Sequence, residues 1–266
     1  MVEFLSSSFM QKALFTGVIV SLLSGIVSVF VVLRKMSFIG AGISHAAFGG
    51  VAVGFFTGIN PLITAIGYAI AVALGIEFVS RRGKVSEDAS IGIFFASSMA
   101  LGIVLISLSK EYTVDLFGYL FGSILAITAD EVILSSVIAV LVVGVILLFL
   151  KELYMTTYNE EIARVSGIPV RAVNTLFLVF LSVSIVVTMK IVGIILVSAL
   201  LVIPGATAQL FAKNLYFMMM LSCGVAVFST VLGLFLSYQF DMAPGGSIVL
   251  TATAVFMCAL LIKRKR

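Results

Sequence analysis

The chain has 266 residues, of which 62% are hydrophobic and only 11% charged, with a formal net charge of +4. Soluble domains run nearer half apolar and a quarter charged, so this composition excludes a soluble fold and makes lipid the solvent for most of the chain. The small basic excess does not point to nucleic acid, because the lysines and arginines sit between apolar runs, where orientation signals belong.

A bilayer crossing needs about 20 mostly apolar residues. Runs of that kind lie at 13–33, 37–58, 61–80, 89–109, 130–150, 173–189, 191–212, 215–237 and 247–262. These predict an all-α, polytopic transmembrane bundle, a single domain over 1–266 with no room for a separate soluble domain. The first run is too long for a signal-peptide core and no small-residue cleavage pattern follows it, so it reads as a retained span. The runs at 173–189 and 191–212 are joined by little more than Lys190. Pro204-Gly205 inside the second predicts a break or kink there, and the count is therefore eight or nine spans. With nine crossings and the C-terminus cytoplasmic, every basic residue except Lys12, Lys110 and Lys190 falls on the inner side, so the positive-inside rule favours N-out, C-in.

The second run carries Ala46, Gly50, Gly54 and Gly58 four apart, which places them on one helix face. In lipid the hydrophobic effect does not press helices together, and small residues at this spacing allow backbones to approach and pack. His45, the single histidine, lies one position before this stripe and about 100° round the helix. An ionisable group at membrane depth must pair, stay neutral or line a wet cavity. One reading is a neutral imidazole bonded to a backbone carbonyl; the other is a metal-contacting residue on a pathway. Glu77 is the sole carboxylate in the first three runs, and at i,i+4 from Arg81 it reads as an ion pair.

Farther along, "KEYTVDLFGYLFGSILAITADE" (Lys110 to Glu131) predicts a short helix against the outer face. "KELYMTTYNEEIARVSGIPVRAVN" (Lys151 to Asn174) predicts an inner amphipathic helix followed by a Gly-Ile-Pro turn. Ile162, Val165 and Ile168 would share one side of it, with Glu160, Glu161 and Arg164 in water; its apolar side either meets a partner or folds back on this chain. Cys223 and Cys258 fall inside apolar runs far apart and read as small buried residues. No G-x-x-x-x-G-K-[ST] loop and no H-E-x-x-H is present, and the adjacent Ser44 and His45 diverge on a helix, so no enzyme constellation is visible.

Several blocks then make the chain specific. They are "RKMSFIG" (Arg34 to Gly40), "SHA" (Ser44 to Ala46), "GVAVG" (Gly50 to Gly54), "VDLFGYLFGSILAIT", "GIPVRAVN", "MKIVGIILVSALLVIPGATAQLFAKN" and "SYQFDMAPGGSIVL". In this order they resemble the permease subunits of bacterial zinc and manganese ABC importers, the ABC-3 family, over essentially the whole chain. The resemblance implies a multi-pass protein of the bacterial cytoplasmic (inner) membrane. Its partners would be cytosolic ATPase subunits, an extracytoplasmic metal-binding protein and a second permease copy, as a homodimer. No cofactor would be held permanently; the divalent metal is cargo, with zinc slightly preferred over manganese. The resemblance also implies a cytosolic coupling segment at about 151–174, centred on Glu160, Glu161, Ala163, Gly167, Ile168 and Pro169.

His45 would be the transient metal contact. The family's aspartate four residues earlier is Ala41 here, and Ser123 stands where zinc-type relatives often have an acid. Asp115 or Asp241 would then substitute, or the metal is held loosely, which conduction tolerates. The alternatives are an iron or siderophore permease of the same class, an ion-coupled secondary transporter, and an intramembrane hydrolase.

Overall fold

The computed structural model describes residues 8–83, 85–108 and 128–264. Eight helices there are long and apolar enough to cross a membrane. In chain order the elements begin with α1 (Ser8–Leu33), α2 (Ile39–Thr57), α3 (Pro61–Gly83), α4 (Glu87–Leu108) and α5 (Ala129–Leu148). Two short helices follow, α6 (Leu150–Tyr158) and α7 (Glu160–Val165), then the long α8 (Val170–Val192). The pair α9 (Ile194–Leu200) and α10 (Ile203–Gln209) precedes the last two spans, α11 (Leu215–Phe240) and α12 (Pro244–Arg264). No strand occurs among the described residues. The expected outer helix of the 110–131 stretch lies almost wholly outside them; its end is visible, where the Thr128 hydroxyl caps α5 and Glu131 completes the capping box.

The run 191–212 is not a continuous span. It makes its crossing as two short helices, α9 and α10, and the sequence accounts for both breaks. Gly193 stands at φ 84, ψ 163, a region essentially closed to other residues, so α8 cannot continue through it. Pro204 has no N–H to give the preceding turn, and the chain leaves the helical region at Val202. Irregular backbone at membrane depth is tolerated only when buried in protein. Here Ile194, Leu196, Val197 and Leu200 of α9 and Pro204, Gly205, Thr207 and Ala208 of α10 are buried. The Gly205 N–H donates to Ser28 Oγ of α1 at 2.9 Å, so a neighbouring helix supplies the cap that α10 lacks.

Residues from the end of α1, the start of α2, the end of α3 and the start of α4 meet those of α6, the start of α8 and the α10–α11 junction around one cavity. This end of the bundle holds Arg34, Lys35, Arg81 and Lys213 and is called the basic end below. The broken crossing therefore returns from the far end of α8 to the basic end. Helix α12 starts beside Val192 and Leu196, at the opposite end, and so carries Lys263 and Arg264 back toward the basic one.

Close approach between spans rests on small and hydroxyl residues, as expected where lipid competes for apolar contact. Against α11, α1 presents Gly25, where an added Cβ would lie 2.9 Å from Cys223 Cα. Ser222 donates to the Gly25 carbonyl at 2.7 Å, and Ser21 and Thr230 share a 2.6 Å hydroxyl bond. Both cysteines are free thiols, and Cys223 belongs to this packed seam.

Candidate functional site

Helix α2 is glycine-lined on two sides. A Cβ on Gly50 would meet Ala65 Cα at 2.8 Å, and one on Gly54 would meet Pro61 Cα at 2.6 Å, so these two seat α2 against α3. Ala46 is fully buried. Gly58 departs from the expected stripe: it ends α2 in the left-handed region at φ 72, and a Cβ there would meet nothing within 4 Å. It is a helix cap, suited to glycine for its conformation rather than for packing. The second glycine side was not read from the sequence. Gly42 lies against Ile91 and Gly49 against the Ser98 carbonyl, both on α4. The signal was present in the spacing of 42 and 49 but was masked by the more regular four-residue repeat.

His45 falls between Gly42 and Gly49, on the α4 side. Its ring stands edge-on to Phe95 with centroids 4.9 Å apart. The Nδ1 atom is buried and has no hydrogen-bond partner. The carbonyl-bonded imidazole is therefore not what the geometry shows at this nitrogen. Ser44 turns away, donating to the Ala41 carbonyl at 3.1 Å and touching Ser198 of α9 at 3.4 Å. No nucleophile–base pair forms between Ser44 and His45.

Of the two expected acidic partners, Asp241 does not lie beside His45. His45 lies six residues into α2, about 9 Å from the basic end. Asp241 is exposed at the opposite end, where it caps α11 in the left-handed region at φ 52. Asp115 lies outside the described residues. Among the described residues no group of three His, Cys, Asp or Glu side chains could hold a metal ion together. The described residues thus place one imidazole here with no cluster of metal-ligating side chains.

The denser polar chemistry is at the basic end, around a cavity of about 990 Å³. Arg34, just past α1, donates through Nε to Thr157 Oγ1 at 3.0 Å and through Nη2 to Thr156 Oγ1 at 3.0 Å. Its Nη1 donates to Asn174 Oδ1 at 2.8 Å, and the guanidinium lies 4.5 Å over the Phe177 ring. Asn174 Nδ2 in turn donates to Glu160 Oε1 at 2.9 Å. Arg81 bridges Glu160 at 3.3 Å and Glu77 at 3.1 Å, the latter being the i,i+4 pair read from the sequence. Burial lowers the Arg34 pKa to about 10, against the raising effect of Glu160 and Glu77, so the group stays cationic at neutral pH.

The short α7 is well determined by its caps. Asn159 Oδ1 accepts from the Glu161 and Ile162 N–H groups, and Gly167 at φ 81 closes the helix. Ile168 N–H reaches the Ala163 carbonyl and Gly167 N–H the Arg164 carbonyl, the paired bonds of a Schellman ending. Ala163 is fully buried and Ile168 packs on the core, while Pro169 precedes α8 and Glu161 is exposed. The expected apolar side is split: Ile168 packs on the core, whereas Ile162 and Val165 do not fold back on this chain. Ile162 is 54% and Val165 90% exposed, and Glu160, exposed as expected, also bonds to Asn174 and Arg81. The reason is tertiary: the only buried slot on this turn admits an alanine, and the polar partners of Glu160 lie on α3 and α8.

The sequence profile of the ABC 3 transport family matches residues 6–263. The chain is 39% identical over 259 residues to the "Manganese transport system membrane protein MntC" of Listeria monocytogenes, covering 97% of this chain and 92% of that one. It is 35% identical over 202 residues to the "High-affinity zinc uptake system membrane protein ZnuB" of Haemophilus influenzae, covering 76% and 77%. Among solved structures, a chain of "PsaBC from Streptococcus pneumoniae in complex with Fab" superposes with a TM-score of 0.87 at 37% identity, covering 97% of this chain and 93% of that one.

Proposed function

The chain belongs to the ABC 3 transport family, and we propose that it is the permease subunit of an ATP-driven importer for manganese or zinc. As a member of that family it is a transport component rather than a catalytic enzyme, and a multi-pass protein of the bacterial inner membrane. The observation that supports a metal cargo is His45: an intramembrane imidazole whose Nδ1 lacks a hydrogen-bond partner among the described residues. A lone ligand can hand an ion on because it does not hold it tightly. Manganese is placed first and zinc second. The relative with the manganese name is the more similar and is matched over more of its length, and this outweighs the slight preference for zinc taken from individual sequence blocks.

Within that reading the basic end faces the cytosol, so that the C-terminus is inside. ATP is hydrolysed by separate ATPase subunits docked there, an extracytoplasmic protein delivers the metal at the opposite end, and a second copy of this chain completes the pathway. The 151–174 segment is the coupling segment, part of a single permease domain. Ile162 and Val165 support this, since an exposed apolar face on a six-residue helix outside the bilayer needs a cover. A secondary transporter is disfavoured because Glu77 and Glu131, the span carboxylates in ion pairs, are already committed to Arg81 and Lys190.

The deciding experiment is uptake of isotopic manganese and zinc by cells lacking their own importers. This chain would be supplied with a cognate ATPase and binding protein. ATPase-dependent accumulation of either metal is expected, manganese more than zinc. Uptake that persists without the ATPase, or uptake of neither metal by the assembled complex, overturns the proposal. Separately, Ile162→Glu with Val165→Glu is expected to weaken co-purification of the ATPase about 10-fold, as loss of a central apolar contact does at interfaces. Unchanged co-purification would remove α7 as the docking element.

A further inference from the structure

We infer that Arg34 is a positioning residue for transport, tying the α6–α7 segment to the turn that starts the His45 helix. The inference rests on the reading of α7 as the coupling segment. Three observations carry it. Arg34 spends three donors on three acceptors, Thr156 and Thr157 in the last turn of α6 and Asn174 in the first turns of α8. Asn174 passes the connection to Glu160, the first residue of α7. On the other side, Arg34 is fixed to a stiff turn.

That turn is a Schellman ending made without glycine. Met36 N–H bonds to the Val31 carbonyl and Lys35 N–H to the Val32 carbonyl, with Lys35 in the left-handed region at φ 60. Ile39 N–H then bonds to the Met36 carbonyl, so α2 begins in the same rigid unit. Displacement of α7 is therefore delivered through Glu160, Asn174 and Arg34 to α2, where His45 and the α9 contact at Ser44 lie.

Stability alone does not explain the arrangement. The Glu160–Arg81 pair is about two-fifths exposed on both sides, and such pairs contribute little. Arg34 itself is partly buried with no carboxylate in direct contact among the described residues, so its charge is desolvated at a cost that three neutral acceptors only partly offset. What the fork provides is geometry. A planar guanidinium holds several acceptors in one fixed orientation, which a lysine ammonium cannot reproduce.

The test uses the full complex of permease, ATPase and binding protein in proteoliposomes. ATP hydrolysis and manganese or zinc uptake are measured together for wild type, Arg34→Lys, Asn174→Ala and the double variant. Hydrolysis is expected to continue in all three variants, while metal moved per ATP falls about 3- to 10-fold in each single variant, the size of coupling such contact networks carry. The double variant is expected to be no worse than the poorer single one, because both cut the same link. An unchanged ratio in both single variants overturns the inference. So does a parallel loss of hydrolysis, uptake and thermal stability, or failure of both variants to assemble, since either outcome assigns the cluster to stability. A wild-type complex that hydrolyses ATP but moves neither metal overturns the cargo assignment first, and this inference with it.

Discussion

Replacing His45 by alanine is expected to lower ATPase-dependent manganese and zinc uptake by about 10- to 100-fold, the range seen when a metal site loses a supporting residue. The expectation follows from what one chain offers the ion. Among the described residues no group of three His, Cys, Asp or Glu side chains forms that could hold the ion without it. Alanine also leaves a gap beside Phe95, whose ring the imidazole meets edge-on. The His45→Phe variant separates the two effects: it refills the contact with Phe95 but brings no lone pair. Both variants should retain ATP hydrolysis and lose uptake. Uptake restored by phenylalanine would make His45 a packing residue, and uptake unchanged in both would remove it from the pathway.

Gly205→Ala is expected to be the most damaging small change to the fold. The added Cβ would lie 2.6 Å from the Ser28 carbonyl oxygen and 2.8 Å from its carbon, backbone atoms of α1 that cannot move without shifting the helix. Overpacking of this kind costs about 1–3 kcal/mol. Displacing α1 also breaks the Ser28 bond to the Gly205 N–H, a helix cap that contributes about 1 kcal/mol more. A lower unfolding temperature in detergent and a reduced yield of folded protein are the expected readouts. Gly224→Ala is the matched control. It sits exposed within α11 with nothing within 4 Å of its added Cβ, so the substitution should be neutral or stabilising by up to about 1 kcal/mol through helix propensity. Equal effects at the two sites would show that the α1–α10 contact is looser than described.

Much of the architecture was legible before any coordinates. Apolar runs of bilayer length name the spans because lipid demands them locally, whatever the neighbours are. The Glu77–Arg81 pair was readable for the same reason, being one turn apart on one helix. The broken crossing was half legible: Pro204 announced a kink, but the sharper break is at Gly193, one glycine among 23. Only the observed φ singles it out. Asp241 was a ligand candidate as a substitute for the family aspartate that Ala41 replaces; its role as a helix cap, at the far end from His45, needed the path of α11.

Arg34 shows the limit most clearly. In the sequence it is one half of a basic pair at a span boundary, and the orientation rule accounts for it completely. Its partners Thr156, Thr157 and Asn174 lie more than a hundred positions away. No periodicity relates residues so distant, and only the meeting of α1, α6 and α8 at one end of the bundle gives Arg34 more than a charge. The sequence by itself thus determined the solvent, the spans, the small-residue face of α2 and the isolation of one histidine, because each depends on composition or on neighbours along a helix. The pairing of Glu160 with Asn174 and Arg81, the exposure of Val165, the second glycine face and the orphaned nitrogen of His45 were decided by tertiary structure. Each depends on which helix lies opposite, and in a bundle held by close packing that choice belongs to the whole chain.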